Sequence, residues 1–223
     1  MKKIGMIVAM DKELTEYFAK LGTVIDLSDE VYNVWSAQVY GKQLYIVKSG
    51  VGEISAASAT QYLITKYGVD IIINFGICGK LSPNLKLLDT VVVKSVVYYQ
   101  FDCSEIDGTA PGVYMNNSPY INTDCNLVET VLKLDSSLKT AICASGDVFV
   151  AKKQDKEYLT NQFNADICEM ESAGILITAL RNKVDCLLIK SVSDDCDGMD
   201  FRTYCELAAK KYVEIVDKFV KIY

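Results

Sequence analysis

The sequence predicts one α/β domain, built on a twisted, mixed and largely parallel β-sheet flanked by helices. Runs of near-continuous Ile, Val and Leu recur along the chain, which is typical of strands buried on both faces. Helical patterns lie between several of these runs, and this alternation indicates a parallel sheet. The 223 residues, half of them apolar, contain no Pro/Gly/Ser-rich linker. We therefore expect a single domain over residues 1–223.

Each predicted element follows from a local pattern. Apolar runs predict buried strands at Ile4–Ala9, Leu44–Lys48, Asp70–Phe75, Thr90–Val97, Thr140–Ala144 and Cys186–Lys190. An antiparallel hairpin is predicted from Val31–Val39 and Lys42–Lys48, joined around Tyr40-Gly41. Apolar residues at helical spacing predict helices starting near Asp11 and at Gly52–Tyr67, Ser172–Leu180 and Phe201–Val220.

The composition argues against several classes of function. The net charge is −6 and no basic run is present, so binding to nucleic acid through phosphates is not expected. No segment approaches the ~18 apolar residues of a membrane span. The first apolar run is short and leads into charged residues without a small-residue cleavage site, which favours a first strand over a signal peptide.

The cysteine spacing and the absence of histidine limit the kinds of functional site that this chain can form. Eight cysteines are present, but none forms a C-x-x-C pair and the chain has no histidine to complete a zinc set. Most lie in apolar runs, as expected of buried thiols in a reducing compartment. We therefore expect a cytoplasmic protein with no metal and no cofactor.

Unusual residues gather where the predicted strands end, which is where ligands bind in such folds. Glu13 falls in the first turn of a helix, a position that also favours carboxylates for helix stability alone. Glycine-containing turns follow two strands, at Ser49–Gly52 and Asn74–Gly79, and Phe149 follows a third within Ser145–Val150. Glycines at such points let backbone amides approach a ligand.

Carboxylates lie close to these strand ends. Glu169 and Glu171 interrupt a buried segment, and Asp194 follows the last strand. Glu169 could form a structural ion pair with Lys190, whereas Glu171 could bind the hydroxyl groups of a ligand. Without imidazole, acid–base chemistry falls to such groups. Paired carboxylates suit a reaction through a sugar cation, in which one acid protonates the leaving group and one carboxylate directs a water.

The order of these segments resembles the nucleoside phosphorylase superfamily, specifically its 5'-methylthioadenosine/S-adenosylhomocysteine nucleosidase branch. The Ser-Gly-Asp-x-Phe, Glu-Met-Glu and Ser-Asp elements are together quite specific. The matching segments are Gly5–Glu13, Ser49–Gly52, Asn74–Leu81, Ser145–Val150, Glu169–Gly174, Ser191–Asp194 and Phe201–Lys211. The resemblance implies hydrolysis of the bond between adenine and ribose in a purine nucleoside.

The resemblance also implies a role for each matching residue. Asp194 would protonate N7 of the departing adenine, with Ser193 orienting it, and Glu13 would position and deprotonate the attacking water. Glu171 would bind the ribose hydroxyls, and Met170 would pack against the sugar. The remaining substrate contacts implied are Ile77, Cys78, Gly79, Glu169, Phe149 stacked on the purine, and the backbone of Val150.

The resemblance implies further contacts around the 5'-substituent and a second subunit. Met10, Val51 and Phe201 would line the pocket for the substituent. The family usually forms a homodimer, and the partner would complete that pocket with Cys103, Ile106 and Pro111.

Three positions depart from the family pattern. Ile77 stands where these nucleosidases usually have a serine near the water, Lys190 replaces an arginine, and Gln100 replaces a histidine. Cys78 could suggest a nucleophile, but it has no histidine as its base.

Two alternatives remain open at this stage. A phosphorylase of the same fold would use phosphate in place of water, and phosphate normally needs contacts with cationic side chains. No arginine lies at the glycine-rich strand ends, which argues against a phosphorylase. Lys48 and Lys190 could supply the positive charge instead, so this alternative remains open. A nucleoside-binding protein without catalysis is the other, against which the three carboxylates Glu13, Glu171 and Asp194 argue.

Overall fold

The computed structural model describes residues 1–115, 117–196 and 198–223, and for 198–202 it describes the backbone alone. Within these residues the strands are β1 (Lys3–Val8), β2 (Ile25–Asp26), β3 (Asn33–Val39), β4 (Lys42–Lys48), β5 (Ile71–Lys80), β6 (Thr90–Tyr98), β7 (Ile121–Asn122), β8 (Lys139–Ser145), β9 (Ile167–Glu169) and β10 (Asp185–Asp194). The helices are α1 (Asp11–Phe18), α2 (Glu53–Tyr67), α3 (Ser104–Asp107), α4 (Cys125–Leu132), α5 (Lys153–Phe163), α6 (Ser172–Arg181) and α7 (Gly198–Ile222). No helix of the described chain is both long and apolar enough to cross a membrane.

The strands form one mixed sheet, which confirms the predicted α/β class. The order is β10-β6-β8-β9-β5-β1-β4-β3-β2, with β7 paired to β6. An additional parallel pairing joins β10 to β5, so the strands β5, β10, β6, β8 and β9 close into a ring. The remaining strands extend from β5 through the parallel pairs β5–β1 and β1–β4.

The predicted hairpin is confirmed. Strands β3 and β4 pair in antiparallel register from Asn33 opposite Lys48 to Val39 opposite Lys42. The two residues between them, Tyr40 and Gly41, both have positive φ angles, of 50° and 72°. This backbone matches the twist of a two-residue hairpin turn.

Helices cover both faces of the sheet. One face packs against α1 and α7, with Leu14, Tyr17 and Tyr212 buried among strand residues. The other packs against α2 and α6, where Ala59 and Leu176 are buried. The predicted helices at Gly52–Tyr67, Ser172–Leu180 and Phe201–Val220 correspond to α2, α6 and α7. Burial on both faces explains why the strands are apolar almost throughout.

Two strands run further than the sequence predicts. Asn74–Gly79 was expected to form a turn after its strand, yet β5 continues through it to Lys80. Likewise Ser191–Asp194 was expected beyond its strand but belongs to β10. Both corrections have one cause: β5 and β10 pair with each other along this stretch, and β9 pairs with the end of β5. Pairing holds the backbone extended despite the glycines.

The sequence patterns missed the shorter elements. Strands β2, β7 and β9 have two or three residues each, too few to show a period. Helices α3, α4 and α5 were also missed.

Candidate active site

A cleft of about 190 Å³ opens at the carboxyl edge of the sheet. It combines the end of β1 and the start of α1 with residues of β5, β9 and β10. Its lining consists of Ala9, Met10, Glu13, Val51, Ile77, Cys78, Gly79, Phe149, Cys168, Glu169, Met170, Glu171, Ser193 and Asp194. Most residues expected to bind a substrate therefore lie around one cavity, although they come from six separate segments of the chain.

Glu13 lies on the cleft wall in a nearly closed environment. Its side chain is only 4% exposed. One carboxylate oxygen, Oε2, accepts the N–H of Met10 at 3.0 Å, and Oε1 accepts the N–H of Ile77 at 3.0 Å. Burial raises the pKa of Glu13 above its ordinary value, although Lys190 and these N–H groups oppose the rise. A raised pKa makes the carboxylate a stronger base.

Gly76 allows Glu13 to approach the sheet. A Cβ atom at this position would lie 2.7 Å from Glu13 Oε1. The glycine inside β5 is therefore required for close approach of the carboxylate rather than for a turn. Gly79, further along the same strand, is also crowded, because a Cβ atom there would lie 2.7 Å from Cys196 Sγ and 3.2 Å from Asp194 Oδ1.

Asp194 and Ser193 end β10 at the cleft. Asp194 is 2% exposed and Ser193 is fully buried. The Ser193 hydroxyl donates to Asp194 Oδ2 at 2.7 Å and also lies 3.3 Å from the backbone oxygen of Cys78. The serine thus holds one carboxyl oxygen of Asp194, as expected of an orienting residue.

Glu171, the residue before α6, also lines the cleft. Its Oε1 accepts the N–H of Gly52 at 3.2 Å. Burial, together with the negative charges of Glu169 and Glu13, raises the pKa of Glu171 to about 8, despite the opposing charge of Lys190. The surroundings of Glu171 therefore disfavour its ionised form.

Glu169 forms the ion pair with Lys190 that the sequence suggested. Lys190 Nζ lies 2.7 Å from Glu169 Oε2, and both side chains are almost completely buried. Burial on its own would raise the pKa of Glu169, but the charge and hydrogen bond of Lys190 lower it below the ordinary value. Glu169 Oε2 also accepts the N–H of Glu171 at 3.2 Å. The pair supports the segment that carries Met170 and Glu171.

The other expected contacts occupy more peripheral positions. Phe149 and Val51 are each about half exposed at the cleft. Val150 does not line the main cleft but a smaller adjoining cavity, which it shares with Phe149 and Asp194. The side chain of Phe201 lies outside the described residues.

The residues expected to serve a partner subunit lie apart from the cleft. Cys103, Ile106 and Pro111 do not line it. Ile106, in α3, is 85% exposed.

A buried hydrogen-bond network behind Glu169 is not predicted by any sequence pattern. Glu53, at the start of α2, and Ser145, at the end of β8, are both buried. The Ser145 hydroxyl lies within hydrogen-bond distance of both Glu53 and Glu169. Because Glu53 and Ser145 are far apart in the chain, no local pattern could pair them. The sequence offered one indication of this network, which is that Glu53 is an acidic residue on a helix face of otherwise small and apolar residues.

Comparisons with known proteins identify the family of this chain. A family model described as the phosphorylase superfamily matches residues 3–221. The aminodeoxyfutalosine nucleosidase of Helicobacter pylori (strain J99 / ATCC 700824) is 29% identical, covering 99% of each chain. The 5'-methylthioadenosine/S-adenosylhomocysteine nucleosidase of Buchnera aphidicola subsp. Acyrthosiphon pisum (strain APS) is also 29% identical, covering 99% of this chain and 96% of the relative.

A solved structure has the same fold. This is the crystal structure of a mutant of the Helicobacter pylori 5'-methylthioadenosine/S-adenosyl homocysteine nucleosidase (MTAN) with 5'-methylthioadenosine in its active site. Its sequence is 26% identical to this one, and the two folds superpose with a TM-score of 0.95 over 100% of each chain. Because the family model matches nearly the whole sequence, this chain belongs to the phosphorylase superfamily.

Proposed function

We propose that this protein hydrolyses the N-glycosidic bond of an adenine nucleoside, releasing adenine and a 5-substituted ribose. The observation that carries the proposal is the convergence of Glu13, Glu171 and Asp194 on one cleft. Breaking this bond requires a proton for the leaving base and stabilisation of positive charge on the sugar. Carboxyl groups can supply both, and the chain has no histidine to do so.

Asp194 is the proposed acid. It would donate a proton to N7 of adenine while Ser193 holds its other carboxyl oxygen in place. To act as an acid near neutral pH, Asp194 would need to be protonated before the reaction, either by its own surroundings or by a relay from water. General acid catalysis of this kind contributes about 10²–10⁴-fold in rate.

Glu13 is the proposed base, and Glu171 the proposed contact to the ribose. Two backbone N–H groups hold both oxygens of Glu13, so the carboxylate is fixed in direction before a water arrives. Glu171 would accept hydrogen bonds from the sugar hydroxyls. When ionised, both groups would stabilise the developing sugar cation.

The remaining walls suit the flat and apolar parts of the substrate. Phe149 would stack on the purine, Val150 would contact its edge through the backbone, and Met170 would pack on the sugar. Met10, Val51, Ile77, Cys78 and Gly79 would complete the cavity.

A phosphorylase reaction is not favoured. A multiply charged phosphate needs free cationic groups, and no arginine is present among the described lining residues. The two lysines that kept this alternative open are already engaged: Lys190 pairs with Glu169 at 2.7 Å and Lys48 with Asp11 at 2.8 Å.

The substrate is proposed from the relatives. Their names specify 5'-methylthioadenosine, S-adenosylhomocysteine and aminodeoxyfutalosine as substrates of those proteins. We propose a nucleoside of this group, with a role in nucleoside and methionine salvage in the cytoplasm.

The test is adenine release from each of these three nucleosides and from adenosine, with and without phosphate. We expect release that does not depend on phosphate, together with a free ribose product. Release only in phosphate, giving a ribose 1-phosphate, would replace the hydrolase with a phosphorylase. Binding of nucleosides without turnover in either buffer would make the protein a non-catalytic binding protein.

A homodimer is part of the proposal. The exposure of Ile106 is consistent with a partner that covers it, and Cys103 and Pro111 would accompany it toward the partner's cleft. Light scattering should give twice the mass of 24.7 kDa. Replacing Ile106 by Asp should weaken association and raise KM, whereas a monomeric wild-type protein with normal activity would contradict the proposal.

A further inference from the structure

A buried acid next to the site, Glu53, has no part in the proposed reaction. It is 5% exposed and does not line the cleft. Its Oε2 accepts the N–H of Gly174 in α6 at 2.5 Å, and its Oε1 faces the Ser145 hydroxyl. Burying a carboxyl group is costly unless it is neutral, paired or fully hydrogen-bonded.

The hydrogen bonds of Ser145 reveal how the cost is reduced. Ser145 Oγ lies 2.5 Å from Glu53 Oε1 and 2.6 Å from Glu169 Oε1. It also accepts the N–H of Ala173 at 3.1 Å. A hydroxyl group has only one proton to donate. Both carboxyl oxygens can therefore be satisfied only if one carboxyl group carries a proton and donates it to the serine.

The surroundings of Glu169 show that it is the charged member. The Lys190 ammonium group lies 2.7 Å from its Oε2, and the N–H groups of Ser172 and Glu171 point to the same oxygen. The thiol of Cys143 adds a weaker contact at 3.4 Å. A carboxylate with a cation and several donors is stable in its ionised form.

The acidic groups around Glu53 favour its neutral form. Asp147, in the loop after β8, accepts the N–H of Glu53 and contributes a second negative charge beside Glu169. Glu53 also borders a surface groove outside the cleft. This groove is lined by Tyr98 of β6, by Arg181 of α6 and by Tyr114, and Arg181 donates a hydrogen bond to the Tyr114 hydroxyl. Burial, followed by the charge of Glu169, raises the pKa of Glu53 to about 7, although Ser145 and Gly174 oppose the rise and Asp147 adds to it.

We propose that Glu53 is a protonated carboxylic acid in the active protein and that it positions the Glu169 carboxylate through Ser145. Both hydrogen bonds are donated in the same direction: the Glu53 carboxyl group donates to Ser145 Oγ, and the Ser145 hydroxyl donates to the Glu169 carboxylate. Glu169 in turn holds Lys190 and the backbone of Glu171. Ionisation of Glu53 leaves two carboxylates competing for one hydroxyl proton, and their repulsion displaces Glu169 and the segment that follows it.

The kinetic test compares wild type with Glu53→Gln, whose amide remains neutral and can still donate. For wild type, we expect kcat/KM to fall about tenfold in the pH unit above the titration of Glu53. Glu53→Gln should keep kcat/KM within about threefold of wild type near pH 6, and its fall should begin at a higher pH, where Glu171 titrates. Glu129→Gln, an exposed control on α4, should have the wild-type pH profile. An identical pH profile in wild type and Glu53→Gln would overturn the positioning role.

This kinetic effect rests on the proposed function, so a second measurement follows the proton without substrate. Infrared difference spectra across neutral pH should contain the carbonyl band of a protonated carboxyl group, with one component lost in Glu53→Gln. If no component is lost, Glu53 is ionised and the inference is wrong, whatever the activity. If the component is lost but no nucleoside is hydrolysed, the proposed function fails while the protonated Glu53 stands.

A second variant covers the case in which Glu53→Gln does not fold. Ser145→Ala removes the hydroxyl that couples the two carboxyl groups. It should lower kcat/KM several-fold near pH 6 and move the fall to a higher pH, where Glu171 titrates. Persistence of the wild-type pH profile in Ser145→Ala would equally overturn the relay.

Discussion

At the scale of single residues, the site is governed by which carboxyl groups carry protons. Glu13, Glu53 and Glu171 all have raised pKa values because they are buried, whereas the ion pair with Lys190 lowers that of Glu169. Lys190 is the cation next to these acids, and burial disfavours the charged form of the acids that it does not pair with. This environment allows carboxyl groups to exchange protons near neutral pH without histidine.

Replacing Asp194 by Asn should separate catalysis from binding. The amide keeps the shape and the contact with Ser193 but cannot donate a proton as an acid. We expect turnover to fall by about 10²–10⁴-fold or more while nucleoside affinity, measured by calorimetry, changes little. Asp185→Asn, at the exposed start of the same strand, is the control. Turnover near the wild-type rate in Asp194→Asn would remove Asp194 from the acid role.

Glu13→Gln should abolish hydrolysis for a different reason. The variant retains the side-chain volume, but it loses the negative charge that would deprotonate water. We expect kcat to fall by about 10²-fold or more, with a smaller change in KM. The matched control is Glu16→Gln, on the same helix and outside the cleft. If the variant raises KM and leaves kcat unchanged, Glu13 binds substrate and is not the base.

At the scale of elements, the packing of α2 against α6 holds the buried acids in place. The first residue of α2, Glu53, contacts α6 through Gly174, and the backbone oxygen of Glu53 lies where a Cβ atom of Gly174 would point. The N–H of Glu53 is satisfied by Asp147 at 2.7 Å, so the loop after β8 caps the helix start. Three elements therefore meet at one glutamate, next to the cleft.

Gly174→Ala tests this contact. The added methyl group has no space against the start of α2, so the two helices must separate. We expect the free energy of unfolding to fall by about 1–3 kcal/mol in urea titrations, with loss of activity. Gly22→Ala is the control, because nothing lies within 4 Å of its added Cβ. Equal stability of Gly174→Ala and wild type would show that the helices adjust freely.

At the scale of the whole molecule, the buried acids make stability depend on pH. Glu53 and Glu171 titrate at about 7 and about 8 when folded, but near 4.5 when unfolded. Between these values the folded protein holds protons that the unfolded chain has released, so stability falls as pH rises. Glu169, whose pKa is lowered, affects the pH dependence of stability only below this pH range. The chain has no histidine that could titrate within the range.

Urea unfolding at about pH 5 and about pH 8, at one protein concentration, should therefore show lower stability at the higher pH. Each such group contributes about 1.4 kcal/mol per pH unit while it differs in protonation between the two states. The double variant Glu53→Gln and Glu171→Gln should have a flatter profile. A stability that rises over this range would show that the acids are ionised in the folded protein.

Sequence patterns alone determined the fold class, the main strands and helices, and the segments that form the cleft. This was possible because burial on both faces of a sheet leaves long apolar runs, and because charged residues within such runs stand out. Glu171 and Asp194 were identified as candidates in this way. Glu13 lies in the first turn of a helix, where a carboxylate also favours helix stability, so its role came from the family resemblance, which assigned the roles of the other two as well. The Glu169–Lys190 pair was also predicted, since a buried carboxylate needs a partner.

Only the tertiary structure decided how β5 and β10 extend, and what surrounds each acid. Strand extension through Gly76 and Gly79 depends on pairing with distant segments, which local propensity does not contain. The protonation of Glu53 depends on Ser145, 92 residues away along the chain, and on the charge of Glu169. A pKa is set by burial and by neighbouring charges in space, so the sequence names the acids while the fold determines which of them hold protons.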